Sequence, residues 1–394
     1  MEYPESRLRD YSTDASIGRG ALDVPFAALT ILLLTIGVIM VLSASYVRAY
    51  YTENGNATYY FTRQLIFAVS GVIIMFFASK FPISLYRRFC YPLLLGTIVL
   101  LMLVLIIGVG TGSGVRRWIQ LPGGQTIQPS EFAKLAVILV FADMICRFRN
   151  NMGTFKYGIV PFAVILGVLG VLLVLEPHMS ATIIIFGIGA VMMFVGGTRL
   201  FWFVAGIGVL GGAFLIITKV FPYMSTRIQT WQDPFSNLQG DGYQIVQSLY
   251  AIGSGGMFGL GLGQSRQKNL YLPEEHNDFI FAVVCEELGF VGAVIILILF
   301  ALLITRGYWI AMHCRDRYSF LVATGISTLL AMQVILNVAV VTNTIPCTGI
   351  SLPFFSYGGT ALWIELAEMG ILLSISRDIP TTPAERKKKK TSKV

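Results

Sequence analysis

Two stretches of this chain hold ionisable side chains at spacings that suit chemistry. Glu131 and Lys134 stand three residues apart, so on a helix they share one face. Arg117 and Trp118 come shortly before them. An arginine fork grips phosphate oxygens, and an indole stacks on a sugar or anchors at a membrane interface. The second stretch, Leu272-Pro-Glu-Glu-His-Asn-Asp-Phe-Ile-Phe281, packs Glu274, Glu275, His276 and Asp278 into five residues. Asp278 at the head of an apolar run reads as a helix cap, which the helix dipole favours, or as a working carboxylate, since four ionisable groups exceed what a cap needs. A hard divalent cation, Mg or Mn, is a candidate guest for such carboxylates, although no metal-ligand spacing stands out. His178, His276 and His313 are too dispersed to suggest zinc. Glu131 and Lys134 likewise have two readings: an ion pair fixing helices in register, or the wall of a cavity where Lys134 meets an anion. Either way they need partners, because charges at membrane depth cost several kcal/mol when unpaired.

The elements that must position these residues are apolar. The chain has 394 residues, 55% hydrophobic and 13% charged, with mean hydropathy +0.72. Soluble domains carry roughly a quarter charged residues, so a water-soluble globule is excluded, and so much Leu, Ile, Val and Phe excludes disorder. The 40 glycines follow no triplet repeat, which excludes collagen. Ten apolar runs of membrane-crossing length are expected: Val24–Val47, Tyr60–Ser79, Tyr91–Gly110, Glu131–Cys146, Tyr157–Leu175, Ser180–Gly196, Leu200–Phe221, Phe279–Thr305, Phe320–Thr342 and Phe354–Ile375. The runs are continuous and too long for barrel strands, which predicts an all-α integral membrane protein. The fourth run is the weakest, being interrupted by Glu131, Lys134 and Asp143.

An even number of spans puts both termini on one side. With the termini in the cytoplasm, about 20 of the 29 basic residues fall inside, as the positive-inside rule requires. The net charge of +8 is then topology and lipid attraction, with no nucleic-acid partner implied. The expected organisation is a cytoplasmic tail (1–23), a membrane domain (24–377) and a basic cytoplasmic tail (378–394). One large extracellular loop, 222–277, joins the seventh and eighth spans, and its Gly, aromatic and apolar content favours a packed loop. The first apolar run is too long for a secretory signal and reads as a retained anchor. Only Cys347 of the five cysteines faces outward, so no external disulfide is expected. The non-basic polar residues gather in the outer loops, which places the work at the outer leaflet. Two formal motifs fail on context. Gly206-Ile-Gly-Val-Leu-Gly211 lies inside an apolar span with no preceding strand, and the glycine-rich run Gly253–Gly263 lacks the Lys of a phosphate loop and faces away from ATP.

Several segments together resemble one family. They are Arg117-Trp-Ile, Gln128-Pro-Ser-Glu-x-x-Lys134, Gly242-Tyr-Gln244, Leu272-Pro-Glu-x-His-x-Asp-Phe-Ile-Phe281, Glu286-Glu-Leu-Gly289 and Phe355-Ser-Tyr-Gly-Gly359. In this order they resemble the SEDS proteins (shape, elongation, division and sporulation) of bacterial cell-wall synthesis, and Gly261–Lys268 resembles the FtsW/SpoVE branch. The resemblance implies a ten-helix peptidoglycan glycosyltransferase of the plasma membrane, polymerising lipid II at the outer leaflet and releasing undecaprenyl pyrophosphate. It implies Asp278 as the catalytic carboxylate and Arg117, Trp118, Glu131, Lys134, Gln244, His276 and Ser356 as substrate-binding residues. It further implies a single-pass class B penicillin-binding protein as transpeptidase partner, other divisome proteins, and no organic cofactor. One departure is Glu176-Pro-His178, where many relatives carry an acidic residue two after the proline; no role passes to His178. Two other classes remain open at this point: a lipid II flippase, compatible with the spans and the buried pair, and a non-catalytic scaffold of the divisome. Against transport, no internal repeat is visible.

Overall fold

The computed structural model describes residues 20–110, 116–120, 125–206, 208, 211–212, 228–238, 240 and 242–379. The apolar runs form long helices: α1 (Val24–Thr52), α2 (Tyr59–Ala78), α3 (Ile83–Ile107), α4 (Pro129–Arg147), α5 (Val160–Leu175) and α6 (Met179–Gly196). After these come α7 (Tyr243–Gly255), α8 (Ile280–Met312), α9 (Arg317–Val341) and α10 (Gly359–Ser376). A two-residue hairpin, β1 (Ile119–Gln120) with β2 (Thr126–Ile127), leads into α4. Eight described segments are long and apolar enough to cross a membrane: α1, α2, α3, Phe155–Leu175 (one turn plus α5), α6, α8, α9 and α10. The expected span at Leu200–Phe221 is helical over 200–206 and falls mostly outside the described residues, as do most of both tails.

The interrupted fourth run is a helix after all, and it is the centre of the bundle. α4 buries 16 of its 19 residues against α3, α6 and α9. Protein surrounds it instead of lipid, so its charges need protein partners and its mean apolarity need not match a lipid-facing span. Asp143 receives them at one end: Arg87 of α3 at 2.7 Å, Arg147 at 2.6 Å and the Tyr91 hydroxyl at 3.0 Å. At the same end of the bundle the chain ends come together. The amide of Gly20 donates to the carbonyl of Arg377, and Asp23 pairs with Arg306 of α8 at 2.8 Å.

The other end is built around a break in α8. Gly289 stands at φ 69° and ψ −173° inside that helix, a conformation that only glycine adopts without strain. The backbone on both sides of the break binds the segment after α7: the amides of Leu260 and Gly261 donate to the carbonyls of Glu286 and Glu287, and the amides of Phe290 and Val291 donate to the carbonyls of Gly256 and Met257. The side chains complete this latch. Glu286 accepts from the Ser265 hydroxyl and the amides of Arg266 (2.9 Å) and Gln267 (3.3 Å). Glu287 pairs with buried Lys268 at 2.8 Å and accepts from Ser43 of α1 at 2.7 Å. The segment that sequence composition marked as a packed loop is thus anchored into the bundle by two buried carboxylates. Removing one partner of a buried pair strands the other charge, at about 3–5 kcal/mol. Lys268→Ala should therefore lower the melting temperature in detergent sharply, and Lys268→Ala combined with Glu287→Gln should recover part of the loss; equal melting of the single variant and the parent would refute the latch.

Candidate active site

Asp278 lies one residue before Phe279, the N-cap of α8, which makes no side-chain cap bond. It is held from behind. Asn337 of α9, fully buried, donates both amide hydrogens, one to the carbonyl of Asp278 at 2.9 Å and one to the carbonyl of Ile350 at 2.6 Å. One side chain thereby fixes the aspartate's backbone and the connection between α9 and α10. Its carboxylate is half-buried beside Gly349. A Cβ at position 349 would stand 2.9 Å from the Asp278 Oδ2, and the residue has φ +71°, so both the space and the backbone require glycine there.

The same connection organises the neighbours. Ser356 donates its hydroxyl to the carbonyl of Asn277 at 2.9 Å and accepts from the amide of Leu352 at 2.7 Å. Tyr357 donates its amide to the carbonyl of His276 at 2.9 Å. The His276 ring packs against Tyr60 (4.6 Å between centroids) and Tyr357 (5.8 Å). Glu275 forms a bidentate pair with Arg48 of α1, both bonds 2.7 Å, and Glu274 accepts from Asn277 at 2.5 Å. Gln244 of α7 donates to the carbonyl of Pro273 at 3.4 Å. Glu274 and Glu275 therefore take separate partners, while His276 Nδ1 lies 3.9 Å from Glu275 Oε1. Among the described residues no three His, Cys, Asp or Glu side chains converge as metal ligands. The described side chains around Asp278 thus offer no chelating set of their own for a divalent ion.

Glu131 and Lys134 meet at 2.6 Å, both buried, within α4. They face Glu365 and Glu368 of α10, so Lys134 sits among three carboxylates. Glu365 also accepts from the amide of Phe354 at 3.1 Å. The α9–α10 connection thus touches the Asp278 loop on one side and the Lys134 cluster on the other. Arg117 reaches the segment between α5 and α6, where it donates to the carbonyl of Pro177 and faces Glu176 and His178. His178 faces Lys134 as well. Trp118 is half-buried and joins Val109 through a backbone bridge. Asp278, His276 and Ser356 are therefore brought together, with Gln244 one layer behind. Arg117, Glu131 and Lys134 form a second polar group across the connection.

The match with known proteins agrees with this arrangement. Residues 24–380 match the family described as cell cycle protein, that of FtsW, RodA and SpoVE.

The chain belongs to the FtsW/RodA/SpoVE family.

It is 44% identical over 358 residues to stage V sporulation protein E of Bacillus subtilis (strain 168), covering 90% of this chain and 97% of that one. It is 40% identical over 363 residues to the probable peptidoglycan glycosyltransferase FtsW of Trichlorobacter lovleyi, covering 92% and 94%. Two solved structures are similar. One belongs to a peptidoglycan synthase complex studied for the structural coordination of polymerization and crosslinking, with TM-score 0.74, 27% identity, and 92% and 99% of the two chains covered. The other is the Thermus thermophilus rod shape determining protein RodA, with TM-score 0.68, 26% identity and the same coverage.

Sequence reasoning missed Asn337, Arg48 and the two glutamates of α10 as site residues. Asn337, Glu365 and Glu368 did carry a signal, as polar residues inside otherwise apolar runs. His276 supplies a test of the local electrostatics. Burial, aided by the Arg48 charge, takes its imidazole down to about 3, so the ring is neutral in the folded protein. A histidine in an unfolded chain titrates near 6.5. The folded state therefore keeps the full contribution above about pH 6.5 and loses it as pH falls from there toward about 3, by up to about 1.4 kcal/mol per pH unit. Melting in detergent should drop between pH 7.5 and 5, and His276→Gln should flatten that drop; an identical drop in both proteins would mean that His276 is not held neutral.

Proposed function

We propose that this protein is a peptidoglycan glycosyltransferase of the bacterial plasma membrane that polymerises lipid II on the outer side. Its relatives carry that activity in their names, and the observation that supports it here is a half-buried aspartate clamped through its backbone, with the polar group of Arg117, Glu131 and Lys134 across the same connection. The basic residues Arg87, Arg147 and Arg306 cluster at the opposite end, beside the chain ends. The positive-inside rule favours that end as cytoplasmic, which supports an outward-facing Asp278.

In this reading Asp278 accepts the proton of the acceptor sugar's 4-hydroxyl as that oxygen bonds to the anomeric carbon of the lipid-linked donor. The anomeric carbon–diphosphate bond breaks with inversion, and the electron pair leaves on undecaprenyl pyrophosphate. Asp278 then returns its proton to water. A base must be ionised and within hydrogen-bond reach of the hydroxyl, which the half-exposed carboxylate permits. Arg117 and Lys134 oppose the charge growing on the diphosphate, where preorganised cations contribute most. Gln244, His276 and Ser356 hold the loop and connection that frame the acceptor, and Trp118 offers its indole face to a sugar. The glycan product is crosslinked by a single-pass class B penicillin-binding protein, in keeping with the synthase complex whose chain this one resembles, and other divisome proteins join the same assembly.

Two results test this reading. Purified protein given lipid II, with and without its cognate transpeptidase, should yield glycan polymer in at least one condition, and Asp278→Asn should lower the yield at least 100-fold while melting and partner binding stay unchanged. Polymer at the parental level from Asp278→Asn would remove the base assignment, and transbilayer movement of fluorescent lipid II without polymer would favour transport instead.

A further inference from the structure

The segment after α7 carries apolar side chains that the described residues leave exposed. No charged residue stands between Asp241 and Arg266, although this stretch belongs to the loop expected outside the membrane. Within it Met257, Phe258, Leu260 and Leu262 are all exposed, and Phe258, at 83%, is the most exposed of the described large apolar residues. A patch of this kind marks a contact surface. Its height on the bundle identifies the contact.

The course of the segment can be followed from bond to bond. α7 begins level with the Asp278 loop: Gln244 donates to the carbonyl of Pro273, and Ser248 donates at 2.8 Å to the carbonyl of Val341, the last residue of α9. Gly255, which ends α7, lies against the carbonyl of Cys285, where a Cβ would come within 2.0 Å. Further on, the amides of Phe290 and Val291 reach the carbonyls of Gly256 and Met257, and a Cβ on Gly289 would stand 2.6 Å from the carbonyl carbon of Phe258. The chain then turns back, with the amides of Leu260 and Gly261 on the carbonyls of Glu286 and Glu287. It thus runs down along α8 and returns, and its deepest residues are Met257 and Phe258.

α8 itself supplies the depth scale. Arg306, paired with Asp23 and lying over the Trp309 ring, marks the interface at the other end of the bundle. Phe290 stands sixteen residues before it in the same helix, about 24 Å away at 1.5 Å per residue. The hydrocarbon layer is about 30 Å thick, so Phe290 and the tip beside it fall within it. The exposed face of α8 continues from the tip through Ile295, Ile298 and Leu302. Irregular backbone is tolerated at such depth only where its polar groups are bonded. That condition is met around the tip, where the carbonyls of residues 255–257 accept and the amides of residues 259–261 donate.

We propose that α7 and the turn 256–263 form a re-entrant element whose tip, Met257 and Phe258, is immersed in the acyl chains of the leaflet nearer Asp278. Lipid hydrocarbon is the partner, selected over water by the absence of charge along the element and by continuity with the exposed face of α8. The return leg brings Ser265 and Lys268 to Glu286 and Glu287, so lipid and latch hold the same segment. This placement holds whatever reaction the protein performs.

The test uses the full chain, with its five native cysteines replaced, in phospholipid nanodiscs with a nitroxide attached at Phe258→Cys. Collision of the label with oxygen, which concentrates in hydrocarbon, is compared with its collision with a water-soluble nickel chelate. The oxygen-to-nickel ratio should match that of Leu302→Cys, on the exposed face of α8, within about twofold. It should exceed about tenfold the ratio of Asn56→Cys, in the exposed turn between α1 and α2, because the bilayer core excludes water and the chelate with it. A ratio equal to that of Asn56→Cys overturns the immersion. A label shielded from both reagents overturns it too, since protein would then cover the tip. Should Phe258→Cys fail to fold, Met257→Cys carries the same expectation and the same refutation.

Discussion

A charge taken inside a membrane bundle has to find its counterpart on another part of the chain, and that constraint sets where these helices stand. Arg48 with Glu275 ties α1 to the loop ahead of α8, Lys268 with Glu287 ties the loop after α7 to α8, and Arg87 with Asp143 ties α3 to α4. Each pair is weak evidence of net stability, because desolvation offsets much of the Coulomb attraction. What the pairs supply is register: a helix that slides by one turn strands a charge. Asp278 inherits its position from this arrangement. The loop that carries it is gripped at Glu275 on one side and by Asn337 on the other.

The connection between α9 and α10 has a comparable role without any charge of its own. Its backbone meets Asn337, Glu365 and the carbonyl of His276, and its Ser356 hydroxyl meets the carbonyl of Asn277, within a few residues. It therefore bonds directly to the Lys134 cluster through Glu365 and to the Asp278 loop through Asn277 and His276. Trp231 and Asn343 exchange reciprocal hydrogen bonds at 3.1 and 3.2 Å, which brings the large loop onto the same segment. The Asp278 loop and the Lys134 cluster thus lie on two sides of one connection.

Much of this was legible in the sequence. Apolar runs of bilayer length located the spans because a lipid-facing helix has no other way to be stable. The crowding of Glu274, Glu275, His276 and Asp278 pointed to the loop that Asn337 holds, and Arg117, Glu131 and Lys134 pointed to the second polar group. Other features were hidden for physical reasons. α4 was the weakest of the expected spans because hydropathy reports an average environment, and its environment is protein. The break at Gly289 is a backbone event, visible only once the carbonyls of Met257 and Gly256 are seen to bond beside it. Asn337 and the α10 glutamates act through partners tens to hundreds of residues distant, which no local spacing encodes.

The central claim is that Asp278 stands at the extracytoplasmic rim of the bundle, open to a sugar. Asp278→Cys in a chain with its five native cysteines replaced by serine or alanine, treated with a membrane-impermeant maleimide on intact cells whose outer barriers admit the reagent, tests it most directly. The account predicts labelling from outside, without opening the plasma membrane, and protection when a lipid II analogue is bound. Labelling only after the plasma membrane is breached would contradict it.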